Sequence, residues 1–315
     1  MSTQATAETL FIEAAGTKFA YRIIGSRTPA NANTPPLLLL NHFRSTIDLW
    51  DPLLIDTLVS NGTQVITYDY AGIGHSSGEV KLTIKEFGSD LVNFLLALLL
   101  ILPGNLTHVD ILGFSIGGYV AQQTVLQRPD LVRKLILAGT GPSGSLGDVP
   151  HRRPMPSVQS AIMAPIPDRD NTIDAFFPSF IARADGLAWF NRSVSARGGP
   201  GSPGFEFFVT DPTALANLTQ AYLSWDADSL PYALLQTIQS DVLVTAGQND
   251  LIVDTVNSFE LARQIPKAKF LMFPGSGHGH LFQYAEFYAR EVVAFLQGGL
   301  PVPPASAGTI GPVES

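Results

Sequence analysis

The stretch His108-Val109-Asp110-Ile111-Leu112-Gly113-Phe114-Ser115-Ile116-Gly117-Gly118-Tyr119 decides how the rest of the chain is read. Val109, Ile111 and Leu112 form a β-branched, apolar run with the character of a buried strand, and the run from Tyr119 to Gln127 reads as a helix. Between them Gly113, Ser115 and Gly117 spell Gly-x-Ser-x-Gly. A serine at so sharp a strand-to-helix turn is held in strained backbone, and glycines two residues either side let neighbouring chain approach closely. Its hydroxyl then projects above the sheet, beside the positive end of the helix that follows.

In a chain with 28 glycines such a triplet also arises by chance, so context has to decide. The strand before, the helix after, and an acid and a histidine downstream in the order Ser-acid-His supply that context. From about Leu10 to Leu296 the chain resembles the α/β-hydrolase superfamily, in particular its 3-oxoadipate enol-lactonase-like branch. The resemblance implies an α/β fold: a mostly parallel central sheet flanked by helices, an inserted, mainly helical cap, and a Ser-His-acid triad at the carboxyl ends of the strands.

Length and composition agree with one such domain. The 315 residues are 45% hydrophobic and 15% charged, enough to bury a large core and too apolar for disorder in the bulk. A formal net charge of -8 disfavours nucleic acid and anionic membrane as partners and is read as serving solubility; together with the aromatic residues of the cap, the acidic surface favours a small-molecule substrate over a polymer. The absence of cysteine excludes disulfides, thiolate metal sites and a cysteine nucleophile. The opening Met-Ser-Thr-Gln-Ala-Thr-Ala-Glu lacks a basic start and an apolar stretch, so a cytoplasmic protein is expected. Phe94–Leu102, the longest apolar run, is far too short for a membrane span and reads as buried helix. Oligomeric state has no signature here.

Taken in order, Leu10–Ile24 holds two apolar runs around Ala-Gly-Thr, the pattern of an antiparallel hairpin, and Leu37–Leu40 reads as a central strand. Next come Asn41-His42-Phe43-Arg44-Ser45-Thr46 where the family usually writes His-Gly-x. Counting back from Trp50, which with Asp51 and Pro52 opens a helix, Asn41 matches the usual His and His42 the usual Gly, and Phe43 supplies a backbone amide to the oxyanion hole. His42 reads as a structural histidine bonded to loop backbone, with a catalytic participant as the alternative. Asp69-Tyr70-Ala71-Gly72-Ile73-Gly74-His75-Ser76 resembles the family's Asp-x-x-Gly-x-Gly-x-Ser loop and is assigned a structural role; it lacks the basic partner and helix start of a phosphate site.

Composition changes after Gly139-Thr140-Gly141-Pro142. The division expected is core over 1–140, cap over 141–230, core again over 231–298, and a flexible tail over 299–315. The cap aromatics Phe176, Phe177, Phe180, Trp189, Phe190, Phe205, Phe207, Phe208, Tyr222 and Trp225 are expected mostly to form the cap's own core, with a minority lining a pocket over Ser115. Candidate substrate contacts are Arg44, His42, Trp189, Phe190 and Trp225. Arg44 either faces solvent or turns inward to pair with a substrate carboxylate.

The family places its acid on the loop after the strand Asp241–Gly247, which here gives Asp250; the competitor Asp254 reads as the cap of the helix from Thr255. It places its histidine after a glycine in the next such loop, which gives His278. His280 begins or precedes the closing helix, read over Leu281–Gln297, and a metal site from His278 and His280 lacks the helical His-x-x-x-His spacing. Neither metal nor cofactor is implied. In this family a serine, unlike a carboxylate, at the elbow excludes the ester-intermediate chemistry of dehalogenases and epoxide hydrolases. What the resemblance implies is acyl transfer to water by Ser115, His278 and Asp250, with the amides of Phe43 and Ile116 holding the oxyanion. A carboxylic ester or lactone leads as substrate. Carbon–carbon bond hydrolysis, and a hydrolase-fold lyase, cyclase or receptor, stay open.

Overall fold

The computed structural model describes residues 2–26, 34–144, 154–178, 182–198 and 208–298. Phe180, Phe205, Phe207 and the expected tail therefore lie outside the described residues. Eight strands form one sheet in the order β1-β2-β4-β3-β5-β6-β7-β8. β1 (Leu10–Ala14) and β2 (Thr17–Ile24) are the expected hairpin, and β2 also pairs antiparallel with β4 (Val65–Tyr68). From β4 onward, through β3 (Leu37–Leu40), β5 (Val109–Phe114), β6 (Val132–Ala138), β7 (Asp241–Gly247) and β8 (Ala268–Phe273), every pairing is parallel.

The all-leucine strand β3 shows why these runs are central. Leu38 and Leu40 enter the hydrophobic core on one side of the sheet, and Leu37 and Leu39 the core on the other. A strand buried on both faces needs no polar alternation. On the Leu37 side pack α1 (Pro52–Ser60) and the closing helix Ala285–Leu296; on the Leu38 side pack α2 (Ile84–Ile101) and α3 (Ile116–Gln127). The starts are capped as their sequences direct. Asp51 accepts from the Leu53 amide with Pro52 in the first turn, and Thr83 accepts from the Glu86 amide while its hydroxyl donates to the Glu86 carboxylate.

Between β6 and β7 the chain inserts α4 (Pro156–Ile162), α5 (Arg169–Phe176), α6 (Ala182–Arg197), α7 (Pro212–Ala227) and α8 (Leu230–Leu234). After β7 comes α9 (Thr255–Gln264). The expected single closing helix is two, α10 (His280–Gln283) and α11 (Ala285–Leu296), interrupted at Tyr284. Among the described residues no helix is long and apolar enough to cross a membrane.

Candidate active site

Every loop that follows β3, β5, β7 and β8 opens on the same edge of the sheet, as parallel strands require. Ser115 sits between β5 and α3 at φ 58° and ψ -122°, a left-handed conformation that costs a residue with a Cβ about 1–3 kcal/mol. Both motif glycines are needed there. A Cβ on Gly113 would stand 2.3 Å from the Gly117 carbonyl, and one on Gly117 would stand 2.4 Å from the Leu40 carbonyl, where backbone cannot give way. The second contact follows from register: Leu40 pairs with Gly113, so the loop after β3 is pressed against the elbow.

That loop brings Phe43 beside Ser115, and the two share a cleft with Ile116. Ile116 is the first residue of α3, so its N–H has no acceptor within the helix. The loop is braced from behind by groups whose part is legible only in three dimensions. Asn41 Nδ2 donates to the Tyr68 carbonyl and to Asp69 Oδ1, its Oδ1 accepts from Trp50 Nε1 at 2.7 Å, and its carbonyl accepts from the Tyr70 hydroxyl. Asp69 also accepts from the amides of Ile47 and His75. Burial raises its carboxyl to a pKa of about 6 against those hydrogen bonds. Gly74 is the residue that lets this carboxylate in, since a Cβ would lie 2.2 Å from Asp69 Oδ2. The Asp-x-x-Gly-x-Gly-x-Ser loop therefore supports the loop carrying Phe43.

Asp250 and His278 meet as the sequence order suggests. Asp250 Oδ2 accepts from His278 Nδ1 at 2.7 Å, and Oδ1 accepts from the amides of Ile252 and Val253 at 2.9 Å each, so both oxygens are fixed. The imidazole lies against the Phe114 ring, centroids 4.8 Å apart, and edge-on to Phe176 at 5.1 Å. With Nδ1 engaged, Nε2 is the nitrogen left for chemistry, and His278 and Ser115 line one cleft. Among the described residues no hydrogen bond yet joins them, a link that in unliganded sites commonly closes only around substrate. Asp254 caps α9 through the Val256 amide.

His280 is committed elsewhere. Its Nδ1 donates to the His278 carbonyl, so Nε2 accepts from the Thr245 hydroxyl, which in turn accepts from Tyr288. Burial lowers its pKa to about 4 and keeps it neutral. It buttresses the backbone of His278 and offers no free nitrogen beside it.

The cleft has two lobes meeting at Ser115. One, enclosing about 590 Å³ with its mouth, is lined chiefly by Tyr119, Ile162, Met163, Tyr222, Val253 and Asn257. The other, about 500 Å³, is lined by His42, Arg44, Asn171, Phe176, Phe208 and His278 among others. Three of the expected contacts are corrected. Trp189 stacks between Phe176 and Phe282, Phe190 packs edge-on to Trp189, and Trp225 stacks on Tyr119; all three are core residues that do not line either lobe. Among the described residues, the aromatic residues of the insertion that do line it are Phe176, Phe208 and Tyr222.

Both expectations for Arg44 are also corrected. It is buried at φ 64°, and its guanidinium donates to the carbonyls of Val209, Ile162, Ala164 and Pro165. With four bonds made from five N–H groups, no bidentate face remains for a carboxylate. Arg44 clamps the inserted helices to the loop after β3. Arg192 of α6 does the same from the other side, pairing with Asp51 at 2.7 Å.

The alpha/beta hydrolase family profile matches residues 41–291, and the chain belongs to that family. An alpha/beta hydrolase fold protein from Chitinophaga pinensis is 30% identical and superposes with a TM-score of 0.78 over 94% of this chain and 99% of that one. The protein of Caulobacter sp. (strain K31) named "Putative carbamate hydrolase RutD" is 28% identical over 240 residues, 75% of this chain and 81% of its own. The enol-lactonase of Burkholderia xenovorans LB400 shares the fold, at 20% identity and a TM-score of 0.68 over 91% of this chain and 100% of that one.

Proposed function

We propose that the protein hydrolyses a small to mid-sized, uncharged carboxylic ester or lactone through an acyl-enzyme on Ser115, with residues 141–230 serving as the cap. The observation that carries this reading is the Asp250–His278 pair, held at 2.7 Å across the cleft from a serine on a strained elbow. A free hydroxyl is a weak nucleophile and needs a base poised near neutrality. His278 Nε2 takes the Ser115 proton as Oγ bonds to the carbonyl carbon, and Asp250 Oδ2 holds Nδ1–H so that Nε2 faces the reaction and the imidazolium is stabilised as it forms.

The carbonyl oxygen, now carrying the charge, is met by the amides of Phe43 and Ile116, each such donor worth about 3 kcal/mol of barrier. His278 returns the proton to the leaving oxygen as the carbon–oxygen bond breaks. Water, deprotonated by the same nitrogen, then attacks the acyl-enzyme, and the carboxylic acid and serine are released. No cofactor enters. The lining argues for an uncharged substrate, because among the described residues its one guanidinium, that of Arg44, is already bound to backbone.

The test is hydrolysis of a short-chain nitrophenyl ester together with covalent labelling by a fluorophosphonate. Both are expected of the wild type, and Ser115→Ala is expected to abolish labelling and lower turnover at least about a thousandfold. A Ser115→Ala protein that turns over and labels as the wild type does would refute the reading.

A further inference from the structure

His42 follows β3 in the loop that carries Phe43, and its Nδ1 lies 3.0 Å from the Phe43 carbonyl oxygen. A carbonyl has no hydrogen to give, so Nδ1 carries the proton. A neutral imidazole protonated there presents Nε2 as a bare acceptor. Burial, and then the nearby His278, lower the His42 pKa to about 3, so the ring stays neutral. It packs edge-on against Phe114 at 5.3 Å and Phe176 at 5.4 Å.

Nε2 is buried, and no protein donor among the described residues reaches it. The residue as a whole is only 6% exposed, and it lines the lobe that also holds Ser115 and His278. An acceptor desolvated without a partner costs about 1–3 kcal/mol, an arrangement that makes sense where a ligand brings the donor.

The position of His278 says which part of the ligand. The base must hand its proton to the leaving oxygen, so the leaving portion lies toward His278, and His278 lines the His42 lobe and not the Tyr119 lobe. We propose that His42 Nε2 accepts a hydrogen bond from an O–H or N–H carried on the alcohol portion of the substrate, close to the ester oxygen, and so selects esters of diols and similar donor-bearing alcohols. The proposal rests on the serine-hydrolase reading above and adds the substrate class. A site that offers a buried acceptor rejects an analogue lacking the donor far more strongly than an apolar wall rejects an added hydroxyl.

The experiment compares 2-hydroxyethyl butanoate with propyl butanoate, in which a methyl replaces the terminal hydroxyl. The wild type is expected to prefer the hydroxyethyl ester by at least about tenfold in kcat/KM. His42→Phe is expected to bring that ratio toward unity, and His42→Gln, which restores an acceptor, to recover part of it. A wild type without preference, a ratio unchanged in His42→Phe, or an equal loss on both esters would each overturn the proposal.

Histidine-labelled ¹⁵N NMR decides the matter without turnover or folding of the His42 variants. In Ser115→Ala the His42 Nε2 signal is expected at the position of an unprotonated ring nitrogen, and to move on adding the hydroxyethyl ester but not the propyl ester. A protonated Nε2, or no difference between the two esters, overturns the inference. Failure of the hydrolase reading shows separately, as wild-type turnover of both esters no faster than that of Ser115→Ala.

Discussion

Asp250 uses its two oxygens for different purposes, and the difference can be measured. Oδ1 is anchored by the amides of Ile252 and Val253 and keeps the carboxylate from turning, while Oδ2 faces His278. Asp250→Asn keeps the shape but can present an N–H to Nδ1, which would place the imidazole proton on Nε2, the nitrogen that must act as base. Turnover is expected to fall about ten-thousandfold with little change in stability; retention of more than a tenth of wild-type turnover would remove Asp250 from the proposed mechanism. At this scale the sequence spoke clearly where a residue's place depends on its immediate neighbours. Ser115, Asp250 and His278 each close a strand-to-helix or strand-to-loop turn marked by glycine. It misplaced Arg44, whose partners lie 118 to 165 positions away, and Trp189, Phe190 and Trp225, because an aromatic in a helix reads the same whether it faces a cleft or another ring.

Two arginines tie the insertion to the core beside its apolar packing. Arg44 binds the carbonyls at the end of α4 and just beyond it, and the one before α7, while Arg192 on α6 binds the buried cap residue of α1. Ordinary surface pairs contribute little, but these carbonyls lose a charged donor if Arg44 is removed. Arg44→Met is expected to lower stability by about 2–4 kcal/mol, and to raise amide hydrogen exchange in α4 selectively over α2. Equal protection in α4 of variant and wild type would show that apolar packing alone seats the insertion. Elements themselves were readable because capping and periodicity are local: Asp51 and Pro52 announce α1, and α9 begins at Thr255 as expected. The break at Tyr284 between α10 and α11 was not, since no proline or glycine marks it.

For the molecule as a whole, buried neutral histidines set how it responds to acid. His42 and His280, shifted to about 3 and about 4, bind a proton in the unfolded chain near the ordinary value of 6.5 but not in the fold. Between those values the unfolded state holds more protons, so stability is complete above pH 6.5 and is lost as pH falls toward 4. Asp69, raised to about 6, works the other way from about pH 6 downward, favouring the fold as pH falls, and burial sets Asp51, Asp56, Asp90 and Asp110 in the same direction; the two histidines shift further than Asp69 does. The thermal midpoint is expected to drop between pH 6.5 and pH 4, and a midpoint that stays level or rises over that interval would contradict the assignment of both rings as neutral. The sheet was legible because strands buried on both faces are written as unbroken apolar runs, and the right order of turns left a single family to resemble.

The central claim is that a base and an acid converge on one serine to make it a nucleophile. It is tested most directly by fluorophosphonate labelling followed by peptide mapping of the adduct. The account predicts one adduct per chain, on Ser115, formed by the wild type and greatly slowed in His278→Ala. An adduct on any other residue, or one on Ser115 that forms as fast without His278, would contradict it.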